Sequence, residues 1–150
     1  MTLRLQHCST MRIPLALALI CLAHAAPAQA LFDAARGQYG SATDPATSCA
    51  ANPHEMDFEP SPPHLNLTWN SLKEGPAGRP RTHERYDIEG FDDSTMTLRQ
   101  EGDYRPDPDG LGPFWVLQFT GTPPGYCWRR PDWPSVRCED QQLRCENATS

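Results

Sequence analysis

From residue 54 onward, apolar and polar positions alternate in short runs broken by proline, glycine and aspartate. Met56 and Phe58 fall on one side of a run whose other side is Glu55, Asp57 and Glu59, and Pro60-Ser61-Pro62-Pro63 then interrupts it. Leu65, Leu67 and Trp69 alternate in the same way with Asn66, Thr68 and Asn70. Period two over such lengths marks strands with one face buried and one face wet. Lys73 to Pro80 is rich in glycine and proline and reads as a loop. Tyr86 and Ile88, then Met96 and Leu98, flank a turn at Gly90 to Ser94, so Glu84 to Glu101 is the best hairpin candidate. Phe114 to Thr120 is the most apolar run, with Trp115, Leu117 and Phe119 on one side. Pro123-Pro124-Gly125 turns the chain into a short strand at Tyr126-Cys127-Trp128.

Upstream, a helical turn over Leu31 to Ala35 ends at Gly37, Gln38-Tyr39 begins a first strand, and Ser41 to Pro53 is a polar loop. Arg129 to Ser150 shows no period, with a short helix the one candidate element around Glu139 to Arg144. The pattern therefore predicts about five to seven short strands and no long amphipathic helix. The fold class is mainly β: a small antiparallel meander forming a sandwich or barrel, with an irregular C-terminal tail.

The first thirty residues differ in kind. Met11-Arg12, the apolar run Ile13 to Ala23 and Ala28-Gln29-Ala30 form the three parts of a secretory signal, with cleavage expected after Ala30. The apolar run falls short of the roughly 20 residues that cross a bilayer. Met11 opens a complete signal and is a candidate true start. Leu19 and Ile20 precede Cys21 where a lipid-attachment signal would carry small residues, so no membrane anchor is expected after cleavage. Residues 1–30 are thus read as a signal peptide, 31–150 as one mature domain, and the location as periplasmic or secreted.

Export changes the reading of the cysteines. Cys8 and Cys21 would leave with the signal, and Cys49, Cys127, Cys138 and Cys145 would remain. An even number in an oxidising compartment reads as a disulfide framework. The preferred pairing is Cys49 with Cys127 and Cys138 with Cys145, the latter closing a small terminal loop. Cys127 with Cys138 and Cys49 with Cys145 stays open beside it. A zinc site is disfavoured, because no Cys-x-x-Cys or nearby histidine supplies ligand spacing.

Charge narrows the partners. Arg4 and Arg12 are the only charged residues of the first thirty, so 11 Lys and Arg face 19 Asp and Glu in the mature part, a formal charge of −8. Nucleic acid, which needs a basic footprint, is a poor partner for such a domain. Lys73 is the sole lysine among the thirteen basic residues. Asp107-Pro108-Asp109-Gly110 is part of a calcium-loop pattern, but Arg105 and Val116 stand where that loop needs carboxylates, which leaves an ordinary turn. His54, His64 and His83 lie in different elements, and no Gly-x-Ser-x-Gly is present. No catalytic residue, cofactor or metal is assigned. The segment around Tyr126, Trp128, Arg129, Arg130 and Trp133 combines the residue types that binding hot spots favour and is the candidate recognition surface. The structural alternative is that Tyr126 or Trp128 packs on the core while an arginine stacks on Trp133.

Leu31-Phe32-Asp33-Ala34-Ala35-Arg36-Gly37-Gln38-Tyr39 places a helical turn before Gly-x-Tyr. This resembles the Gly-x-Trp entry to the first strand of calycin-type barrels, which include lipocalins and periplasmic protease inhibitors, with Tyr39 in place of the family's tryptophan. The resemblance covers these nine residues and implies a barrel that acts as a binder or inhibitor; it carries over no functional residue. The leading functional expectation is an exported binding module that inhibits a cationic cell-envelope enzyme, with a carrier of a small apolar ligand as the alternative and a small periplasmic hydrolase as the third reading.

Overall fold

A computed structural model describes residues 25–74, 78–104, 110, 112–121 and 124–146. The n-region and apolar run of the expected signal, with Cys8 and Cys21, lie outside the described residues, as do Pro123, the Asp107–Asp109 turn and the tail from Asn147. Helix α1 (Ala25–Ala35) leads into eight strands: β1 (Gly37–Ser41), β2 (His54–Pro60), β3 (Pro63–Glu74), β4 (Pro80–Phe91), β5 (Thr95–Gln100), β6 (Phe114–Gly121), β7 (Pro124–Arg129) and β8 (Glu139–Arg144). Each strand pairs antiparallel with the next, and β8 returns to β1, so the meander closes into a barrel. Closure removes the free edges that an open sheet would expose. The seam registers Tyr39 on Arg144, Gly40 on Leu143 and Ser41 on Gln142.

The alternation places the core as the sequence suggests. Met56, Phe58, Leu65, Leu67, Trp69, Tyr86, Ile88, Met96, Leu98 and Leu117 are all buried inside the barrel, and Phe119 packs against them. The β4–β5 hairpin forms where expected. Its turn is held by Asp92, whose carboxylate accepts from the backbone N–H groups of Ser94 and Thr95 at 2.8 Å each. Those bonds, led by that from Ser94, hold the Asp92 carboxyl below the usual range.

α1 closes one end. Phe32 stacks on Phe58 with ring centroids 4.8 Å apart and also meets Phe91 at 5.5 Å. The carbonyls that a helix leaves unbonded at its C-terminus are collected from across the barrel. Tyr39 Oη donates to Ala35 O at 2.7 Å, while Arg144 donates to Ala34 O at 2.9 Å and to Arg36 O at 2.7 Å. Gly37 ends the helix at φ 147°, and a Cβ there would sit 3.1 Å from the Arg144 guanidinium. Glycine fits on both counts. The expected cleavage point after Ala30 falls within α1, and Leu31, Phe32 and Ala35, which pack on the barrel, all follow it.

Eight strands form where five to seven were expected, and three further expectations change. Glu139–Arg144, the candidate helix, is strand β8, so the irregular connection after β7 runs from Arg130 to Cys138. Lys73 and Glu74, assigned to a loop, extend β3, past a register shift between Thr68 and Lys73 at which Asn52 exchanges hydrogen bonds with the Ser71 backbone. The preferred cysteine pairing is replaced by Cys49–Cys145 and Cys127–Cys138. β8 is the reason. As an extended strand at about 3.3 Å per residue, it holds Cys138 and Cys145 about 20 Å apart, beyond the reach of a disulfide. Its pairing with β1 instead brings Cys145 beside the loop of Cys49. That loop lies directly on the seam: a Cβ on Gly40 would fall 2.1 Å from the Cys49 backbone nitrogen.

Candidate ligand cavity

The end of the barrel opposite α1 is open. A cavity of about 480 Å3 enters it, within the size range of small-molecule sites. Its deepest lining comes from His54, Leu67 and Tyr126, all almost fully buried. Trp69, Tyr86 and Trp128 form the wall above, and Trp115, 37 % exposed, stands at the mouth. The rings are packed together: Tyr126 meets Trp128 edge-on at 5.9 Å, Trp128 lies 5.4 Å from Tyr86, and His54 lies 5.0 Å from Trp69.

Polar groups stand among these rings. His54 Nε2 and Tyr126 Oη share a 2.6 Å hydrogen bond. Burial, with the nearby Lys73 charge, pushes the His54 pKa down to about 4 against a smaller opposing effect of Glu84. His54 is therefore a neutral imidazole at pH 7. Burial likewise pushes the Tyr126 hydroxyl well above its ordinary value, so it stays protonated.

Glu84 is the principal buried charge. Tyr86 Oη donates to its Oε2 at 2.5 Å, and Oε1 lies 3.0 Å from both Lys73 Nζ and Arg81 Nε. Burial alone would raise its pKa, but the Tyr86 hydrogen bond and the two cations outweigh it and leave the carboxyl below the usual range. The Lys73 ammonium also rests on the face of Trp69, 3.8 Å from the ring centroid. Asp140 faces the mouth from β8 at φ 50°, a left-handed conformation that aspartate tolerates better than most residues. It remains accessible to solvent, yet the protein crowded around its carboxyl raises the pKa, against the attraction of Lys73 and a hydrogen bond from Gln142.

The candidate recognition segment is divided by this geometry. Tyr126 and Trp128 point into the barrel and line the cavity. Arg129 donates to Gln118 Oε1 at 3.1 Å and to Trp133 O at 3.3 Å. Arg130 donates to Phe114 O at 2.8 Å and lies over Trp115, 5.2 Å from its centroid. Trp133 carries the guanidinium of Arg137 at 3.7 Å, rather than Arg129 or Arg130. These three residues brace the chain between β7 and β8, where Cys127–Cys138 ties the two ends of that connection.

The three histidines do not converge. His54 lies in the cavity, His64 pairs with Asp87 at 3.1 Å and His83 bonds Thr68 at 3.2 Å. Among the described residues, no group of three or more His, Cys, Asp or Glu is placed to hold a metal ion. Lys73, Arg81, Glu84 and Asp140 were not singled out by the sequence. One signal was there: the inward series Leu65, Leu67, Trp69 runs on in phase through Ser71 to Lys73.

The chain matches no protein-family model, and no curated protein and no solved structure is significantly similar to it. Its two disulfides are the form cysteine takes in oxidising compartments. Among the described residues, no helix is long and apolar enough to cross a membrane.

Proposed function

We propose that this protein is an exported binding module that takes a small amphipathic molecule into the open end of its barrel. The supporting observation is the cavity itself: about 480 Å3, walled by Trp69, Tyr86 and Trp128 and set with the polar groups of Glu84, Lys73 and His54. An eight-stranded barrel can fill its interior with side chains or hold one small ligand. Here the half nearest α1 is filled and the other half is left open. The carrier reading thereby moves ahead of the enzyme-inhibitor reading, whose aromatic and arginine segment is engaged in bracing its own chain. The resemblance of Leu31 to Tyr39 to the entry of calycin-type barrels supports the same reading, as does the signal-like segment for export.

The test is titration with a neutral naphthalene probe, followed by tryptophan quenching and calorimetry. Saturable one-to-one binding is expected, with its loss in Trp128→Ala. Absence of saturation up to the solubility limit of the probes, cationic as well as neutral, would overturn the proposal.

A further inference from the structure

The cavity already holds one organic cation, and it belongs to the protein. Lys73 Nζ lies 3.8 Å above the centre of the Trp69 ring and 3.0 Å from Glu84 Oε1. An aromatic face on one side and a buried carboxylate on the other is the arrangement by which proteins recognise amines. We propose that the ligand of this cavity is an organic cation, a primary ammonium on an apolar or aromatic body, and that Lys73 is its internal competitor. This rests on the reading of the cavity as a ligand site.

Two further observations favour a cation over a neutral or anionic ligand. Five carboxylates line the cavity, those of Asp44, Glu74, Glu84, Glu139 and Asp140, against the two cations Lys73 and Arg81. An anion entering the mouth would approach that excess at close range, in a setting where water screens charge less than in bulk. Asp140 faces the same space, and its carboxyl feels the Lys73 charge directly. A ligand ammonium can therefore replace Nζ between Trp69 and Glu84 while the displaced lysine stays within the field of Asp140 at the mouth. Lys73 is suited to leaving: it sits one residue from the end of β3, beyond the register shift, on a long flexible stem that already reaches solvent. The apolar body of the ligand would lie against Tyr86 and Trp128, which form the adjoining wall.

The experiment compares three probes of one shape: 2-(1-naphthyl)ethylamine, the matching alcohol and 1-naphthylacetate. In calorimetry, the ammonium should bind about tenfold more tightly than the alcohol, the scale of one desolvated cation–π contact, and the carboxylate should bind weakest. Lys73→Met removes the competitor and should tighten the ammonium by a further factor of about ten while leaving the alcohol nearly unchanged; Lys73→Gln serves if the methionine variant does not fold. Glu84→Gln should abolish the preference for the ammonium.

Because Lys73 is the only lysine, its acetylation, mapped by peptide mass, gives a second readout: the amine probe should speed the labelling of Lys73 and the alcohol should not. Equal affinity for the ammonium and the alcohol, or an amine that binds without raising Lys73 reactivity, would overturn the inference and leave the ligand cavity standing. Failure of all three probes to bind would overturn the proposed function itself.

Discussion

The two ends of the barrel are made from the same strands and serve opposite purposes. At the α1 end, inward positions are Phe58, Leu65, Ile88 and Met96, the space between them is filled, and Phe32 seals it. At the other end, inward positions are His54, Lys73, Glu84, Tyr126 and Gln142, and the space is open. Hydrophobic burial is spent on one half, and the other half holds charge that burial makes costly unless it is paired. Stability and recognition are thus separated along the barrel axis, and each end can be altered with a readout that the other should not share.

The largest effect is expected at the seam. Cys49→Ala with Cys145→Ala opens a loop spanning 96 positions, and urea unfolding should show a loss of about 4 kcal/mol. Cys127→Ala with Cys138→Ala releases a span of 11 and should cost roughly 3 kcal/mol or less. A greater loss from the short bridge would show that the connection beside the cavity, rather than the seam, is the weak point of the barrel.

A paired substitution divides the ends most directly. Phe32→Ala should cost about 3 kcal/mol, through lost burial and the cavity left beneath α1, with probe affinity unchanged. Trp128→Ala removes a half-buried ring and should cost roughly 2 kcal/mol or less while abolishing probe binding. Loss of binding in Phe32→Ala at a temperature where it remains folded would mean that the two ends are coupled.

The smallest of these effects is set by pH. His54 has its pKa lowered from 6.5 to about 4 in the folded protein, so on acidification the unfolded chain takes up a proton before the folded one. Its contribution is fully present above pH 6.5 and is lost as pH falls towards 4. Between pH 7 and pH 5 stability should drop by about 2 kcal/mol from this group. His54→Gln should flatten that slope, and an unchanged slope would assign the acid sensitivity elsewhere. Glu84, with a depressed pKa, adds its own loss at lower pH, and Asp140, with a raised one, acts in the opposite sense.

What could be read from the sequence follows the same division. Met56 and Phe58, Leu65 to Trp69, Tyr86 and Ile88, and Leu117 and Phe119 alternate clearly because these inward residues meet the core. β8 could not be read this way, since Glu139-Asp140-Gln141-Gln142-Leu143-Arg144 sends polar side chains to the interior. Asp140 and Gln142 face the cavity, while Arg144 bonds the end of α1, so none of the three needs to be apolar. Lys73 was placed in a loop because it opens the glycine- and proline-rich stretch to Pro80; its phase with Leu67 and Trp69 fits a strand only where the barrel is open at that level. The cysteine pairing then failed with β8, because the reach of Cys145 depends on a strand that hydrophobic periodicity could not reveal. The alternation of a ligand-holding barrel lapses at the level of its site.

The pairing of β1 with β8 also sets an order of events as the chain is made. Tyr39 must wait for Arg144, and Cys49 for Cys145, across nearly the whole described chain. Contacts so distant in sequence form late, after local hairpins such as β4–β5 and β6–β7. Cys127–Cys138 joins neighbours and can form early. Until β8 arrives, Trp69, Tyr86 and Trp128 line an open, curved sheet rather than a cavity, and Asp140 and Gln142 are not yet beside them. The chain acquires its capacity to bind only once β8 has joined β1 and β7.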